Sequence, residues 1–166
     1  LQGCRVLVTR ERPGDLAAQL IERGATVVHL PLIAVIEPTD GGAALNGALS
    51  RLAEFDWLIV TSPAGSERVA AAAIGAPGVR LAAVGTATAR ILEGRIGRPV
   101  DLMPAVQRAQ ELAAAFVAQV ASPQRVLIAQ ADIAAPTLAD ELRRAGHEVT
   151  VYNRTGAKAA AWAKQH

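Results

Sequence analysis

Hydroxyl side chains and glycine recur in this chain where short β-branched runs come to an end. The first run closes on Thr9-Arg10 and a later one on Thr61-Ser62-Pro63. A third closes on Val84-Gly85-Thr86-Ala87-Thr88, and a fourth on Gln130-Ala131-Asp132. Hydroxyls and the unpaired N–H groups that open a helix donate to anions, Arg forks onto carboxylates, and Gly lets a ligand approach the backbone. Together, Arg10, Thr61, Ser62, Gly85, Thr86 and Thr88 could hold a ligand with many acidic arms. Each hydroxyl is equally an ordinary helix N-cap, and for any one turn that reading stays open.

The motifs that are missing narrow the chemistry. There is no G-x-G-x-x-G after a strand and no G-x-x-x-x-G-K-[ST], which disfavours dinucleotide and P-loop sites. There is no G-x-S-x-G elbow either. His29, His147 and His166 have no metal-ligand spacing, and a single cysteine, Cys4, excludes a disulfide framework and fits a reducing compartment. No metal is expected. Net charge is +2 and no block of like charges occurs, so this segment is not expected to bind nucleic acid. Of the basic residues 15 are Arg and only Lys158 and Lys164 are Lys, a bias that suits anion binding but also fits base composition in a chain with 36 Ala.

These turns need a frame that sets them side by side. Runs such as Arg5–Thr9, Thr26–Leu30, Trp57–Val60, Leu81–Val84, Val100–Leu102, Val126–Ala129 and Glu148–Tyr152 read as strands. Between them lie helical patterns over Gly14–Arg23, Gly42 to about Ala53, Pro63–Ala73, Thr86–Glu93, Gln107–Val120 and Pro136–Ala145, with Leu32–Glu37 as an extended connector. Strict alternation of this kind predicts an α/β fold of parallel sheets covered by helices. In such sheets ligands bind beyond the carboxyl ends of the strands, where the polar turns fall. No apolar run reaches the roughly 18 residues of a membrane span. An echo adds detail: Leu16-Ala17-x-x-Leu20-x-x-x-Gly24-x-x-Val27 returns as Leu138-Ala139-x-x-Leu142-x-x-x-Gly146-x-x-Val149, each copy after an Arg-Val-Leu strand. Either any amphipathic helix with a Gly stop looks like this, or a βαβ unit is duplicated.

In this order the turns resemble the uroporphyrinogen-III synthase family. The stretches that carry the resemblance are Val6–Arg10, Phe55–Pro63, Leu81–Ala89, Arg108–Leu112 and the closing Leu138…Gly146…Tyr152 segment. The resemblance implies two flavodoxin-like parallel-sheet domains joined by a two-stranded connector, the first incomplete in this chain. Residues 1–36 would begin the discontinuous domain, 37–152 form the continuous one, and 153–166 start the return; the chain is expected to continue past His166.

The implied reaction is cofactor-free. Hydroxymethylbilane, a linear tetrapyrrole with eight carboxylates, loses its terminal hydroxyl and closes to uroporphyrinogen III with one pyrrole inverted. Tyr152, the single Tyr of the chain, matches the family's Tyr thought to assist departure of the hydroxyl. A phenol stays protonated near neutrality and can donate. The remaining task is placement of a flexible polyanion, which suits backbone N–H, hydroxyl and Arg groups. A cytoplasmic monomer with no membrane partner is expected. The alternative is a synthase-like module that binds an anionic ligand without turnover in a regulatory protein, motivated by Ala131 where many members have Gly and by a Gly146–Tyr152 stretch shorter than the family pattern. A flavodoxin-like phosphate binder is a weaker third reading.

Overall fold

The computed structural model describes residues 1–32, 40–130 and 135–152, which fall into two compact units, Leu1–Glu37 and Pro38–His166. In the first unit, β1 (Arg5–Val8), α1 (Gly14–Glu22) and β2 (Thr26–His29) form one strand–helix–strand piece. The strands pair in parallel from Arg5↔Thr26 to Val8↔His29. Gly24, at φ +82°, ends α1 in the left-handed turn that only glycine adopts without strain. Val8, Ala17 and Ala25 are buried, while Leu7 (54%), Leu16 (43%) and Ile21 (58%) stay exposed. Leu32 is the only described residue of the expected connector; residues 33–37 of it, and the tail from 153 onward, lie outside the described residues.

In the second unit, β3 (Trp57–Val60), β4 (Arg80–Ala83), β5 (Arg125–Ala129) and β6 (Glu148–Tyr152) make a sheet of order β4-β3-β5-β6. Every neighbouring pair is parallel. Counted within this unit the order is 2-1-3-4, the start of the flavodoxin-like winding. The hydrophobic runs explain the order. Trp57, Leu58, Ile59 and Val60 have no exposed surface, and neither do Val126, Leu127 and Ile128, as central strands covered on both faces require, whereas the half-buried β6 with its polar Glu148 and Thr150 lies at the edge.

Helices cover both faces. On one, α2 (Ala43–Leu49), α3 (Pro63–Ile74) and α4 (Thr86–Ile96) bury Ala48, Val69, Ala73 and Leu92 against Leu58, Val60, Leu81 and Leu127. On the other, α5 (Ala109–Gln119) and α6 (Thr137–Arg144) bury Leu112, Phe116, Leu138 and Leu142 against Trp57, Ile59, Val126 and Ile128. Phe116 stands edge-on to Trp57, with ring centroids 5.0 Å apart, and to His147 at 5.1 Å. The sheet is therefore the middle layer of three.

Several ends differ from expectation by a residue or so and α4 runs on to Ile96, past the expected Glu93; three further departures have a visible cause. The helix after Gly42 stops at Leu49 and gives way to a 3-10 turn at Leu52–Glu54. Its start is held by Asp40, whose carboxylate accepts the Gly42 N–H (2.9 Å) and the Ala44 N–H (3.0 Å). These two bonds, Ala44's first, hold the carboxyl below its ordinary pKa range. Val100–Leu102 is not a strand: it makes a single parallel bridge, Ala82↔Leu102. Asp101 takes the Leu81 N–H with its side chain (2.7 Å), which replaces a ladder bond and ends the pairing. Finally, α5 begins at Ala109 rather than at Gln107, because Arg108 is its N-cap and has an extended backbone, φ −135° and ψ 150°.

Candidate functional site

Four parallel strands put their carboxyl ends on one edge. Pairing registers align Ala83, Val60, Ala129 and Tyr152 in one row across the sheet, so the row spans about 14 Å at ~4.8 Å per strand. The polar turns continue from this row. The Val84 N–H reaches the Val60 carbonyl (3.2 Å), Thr61 N–H reaches Ala129 (3.2 Å), and Gln130 N–H reaches Tyr152 (3.1 Å). The winding reverses between β3 and β5, since α3 leads away to β4 while β5 lies on the other side. Ligands enter open parallel sheets at such a switch point. Thr61-Ser62 and Gln130, all half-buried, flank it.

Ser62 is the N-cap of α3, and its Oγ accepts the Gly65 N–H at 3.1 Å, with Pro63 in the first turn. Gly65 keeps this turn close to the sheet: a Cβ there would meet Val60 Cγ1 at 3.1 Å and Ser62 Oγ at 3.2 Å. Gly85 is the N-cap of α4 and contributes no side chain. The exposed Thr86 opens that helix, yet its N–H (3.1 Å) and Oγ1 (3.3 Å) both donate to Gln107 Oε1. Thr88 is buried at 3% exposure, and its carbonyl accepts from the buried Ser66 hydroxyl at 2.9 Å, which ties α4 to α3. Tyr152 is half-buried at the end of the edge strand, packed at the margin of the α3–α4 side of the core. Arg10 belongs to the other unit. It is exposed after β1, and its carbonyl accepts from His29 Nε2 at 2.8 Å.

The edge of the second unit thus gathers Thr61, Ser62, Gly85, Thr86 and Tyr152. Thr88 turns inward instead and joins the packing of the two helices. Residues 131–134, with the Ala131-Asp132 part of the fourth turn, lie outside the described residues. Gln107, Gly65 and Ser66 are the members that sequence reading passed over. A Ser four residues after an N-cap Ser, in a helix of small residues, was a signal for the tie between α3 and α4. Gln107 gave none, because its partner lies 21 residues away in sequence. Among the described residues no three His, Cys, Asp or Glu side chains are grouped to hold a metal ion, and no helix is long and apolar enough to cross a membrane.

Strand order, helical cover on both faces and polar strand ends define a doubly wound parallel α/β module, a class whose ligands bind beyond the carboxyl ends of the strands. Comparison with known proteins gives the family. A family model described as uroporphyrinogen-III synthase HemD matches residues 14–165. The chain is 34% identical over 135 residues to a uroporphyrinogen-III synthase of Synechococcus elongatus, covering 76% of this chain and 50% of that protein. It is 29% identical over 154 residues to the porphyrin biosynthesis protein HemD of Ruminiclostridium josui, covering 86% of this chain and 30% of that one. Two crystal structures of uroporphyrinogen III synthase from Thermus thermophilus share the fold at 18% identity, with TM-scores of 0.62 and 0.55; each match covers 92% of this chain, and 62% and 61% of the respective structures. The chain belongs to the uroporphyrinogen-III synthase family. It spans half or less of the length of these curated relatives.

Proposed function

We propose that this chain is the continuous domain, and the start of a discontinuous one, of a uroporphyrinogen-III synthase that closes hydroxymethylbilane to uroporphyrinogen III. The observation that carries the reading is the single carboxyl edge on which Thr61-Ser62, Gly85-Thr86 and Tyr152 follow one row of the sheet. A flexible polyanion laid along such an edge meets hydroxyl and N–H donors at several points, which restricts the geometries in which its ends can join. Tyr152 stands at the end of that row, where its hydroxyl could assist the departing hydroxyl. Arg10, exposed after β1 in its own unit, is a further cation for an acidic ligand, and Thr88 supports the turn from within. The exposed Leu7, Leu16 and Ile21 support an unfinished first domain, because a lone strand–helix–strand piece cannot cover both faces of its sheet. A monomer acting in the cytoplasm fits this reading.

The test is the isomer formed. Full-length protein supplied with freshly made hydroxymethylbilane should give the type III ring, read by chromatography of the oxidised porphyrins. Type I product alone, as forms without catalysis, would refute the reading.

A further inference from the structure

The two polar turns at the carboxyl edge are closed in different ways. At α3 the cap is local: Ser62 sits on the chain just before the helix and binds the Gly65 N–H, so it cannot leave without unravelling the turn. At α4 the N-cap is Gly85, which has no side chain to offer. The acceptor comes instead from Gln107, 21 residues further on, whose Oε1 takes both the N–H and the hydroxyl of Thr86. Gly85 makes room for it, because a Cβ at that position would collide with Gln107 Oε1. The φ of Gly85, −168°, is one that any residue can adopt. What the glycine supplies is space for an oxygen against the backbone.

An amide oxygen in that place is the neutral counterpart of a carboxylate oxygen. It accepts the same two bonds from Thr86 but brings no charge to a helix terminus that favours negative charge. Gln107 and Thr86 are both exposed, and Gln107 precedes α5 rather than lying in it. Rotation of its side chain therefore breaks no helix and uncovers no core.

We propose that Gln107 is a detachable cap that competes with substrate: its Oε1 holds the seat on Thr86 and Gly85 that one carboxylate of the tetrapyrrole takes, and it swings out when that carboxylate binds. The proposal rests on the synthase reading and adds a residue that sets affinity for the acidic ligand. The neutral amide leaves the seat readily, and a carboxylate with its charge-assisted bonds displaces it. A fixed structural cap would instead influence folding alone.

Two substitutions move the competition in opposite directions. Gln107→Ala removes the competitor, so KM for hydroxymethylbilane falls by roughly threefold to tenfold, the worth of one or two exchanged hydrogen bonds. Its Tm falls by a few degrees as α4 loses its cap. Gln107→Glu installs a charged competitor, so KM rises by a similar factor while Tm holds or increases. In both, kcat stays near that of the wild-type full-length enzyme. Titration with uroporphyrin III, followed by its fluorescence, should give dissociation constants that move with KM. Tm changes without any change in KM or in porphyrin affinity would overturn the proposal and leave the synthase reading intact. A wild-type protein that neither forms the type III ring nor binds the porphyrin would overturn both.

Discussion

At the level of single residues, charge and hydrogen-bonding capacity decide what can be tested. Tyr152→Phe keeps the ring that packs at the margin of the core and removes only the hydroxyl. Turnover should drop by no more than roughly a hundredfold, the low end for a positioned acid, with type III product still formed; unchanged turnover would remove Tyr152 from the mechanism. His147 bears on folding. It is buried at 6% exposure, and its Nδ1 accepts the Gln124 N–H at 3.2 Å, leaving no room there for a second proton. Burial lowers its pKa from the ordinary 6.5. Below that value the unfolded chain binds a proton that the folded one resists, so stability falls as the pH drops from about 6.5 toward the lower folded pKa. Tm measured from pH 7.5 to 5 should show this decline, and His147→Gln should flatten that part of the profile. Most of the edge was legible because hydroxyls after apolar runs have one structural meaning, the opening of a helix. The burial of Thr88 was not, since it follows from the packing of α4 against α3, where the Ser66 hydroxyl reaches the Thr88 carbonyl.

At the level of elements, hydrophobic periodicity located the strands and helices, while side-chain competition for backbone groups set their ends. Asp101 truncates the strand expected at Val100–Leu102 by taking the Leu81 N–H, and neither apolar pattern nor propensity registers such an exchange. Glycine stops were readable only in part. Gly146 follows α6 at φ +91°, whereas Gly75 ends α3 at φ −72°, an ordinary helical value. The letter is the same and the backbone requirement is opposite. Gly146→Ala should therefore destabilise the protein by about 1–2 kcal/mol, the cost of a Cβ in the left-handed region. Gly75→Ala, whose nearest contact would be Ala72 O at 3.4 Å, should be neutral or stabilise by up to about 1 kcal/mol through the unfolded state. Urea midpoints of the two variants against wild type check both signs.

Across the whole molecule, the echo seen in the sequence is a repeated piece of architecture. After α1 the N–H of Gly24 bonds to Ile21 O and that of Ala25 to Leu20 O; after α6, Gly146 bonds to Arg143 O and His147 to Leu142 O, an identical pattern. Both pieces then run a parallel strand back along the first, Arg5↔Thr26 in one and Arg125↔Glu148 in the other. Their surroundings differ. Leu127 and Leu138 are 0% and 1% exposed in the two packed faces of the second unit, while their counterparts Leu7 and Leu16 are 54% and 43% exposed. The same residues thus occupy core positions in one copy and face solvent in the other, as the proposed incomplete first domain, short of a flanking strand and helix, would have them. Leu138→Ala should cost about 2–5 kcal/mol, the price of a core cavity. Leu16→Ala in the 166-residue chain should stay within about 0.5 kcal/mol, as at other surface positions. In a chain of the length of its relatives, Leu16→Ala should climb above ~2 kcal/mol once that strand and helix close over it. Urea denaturation of both chain lengths measures the difference, and a Leu16 that costs no more in the longer chain would show that its first unit is never covered.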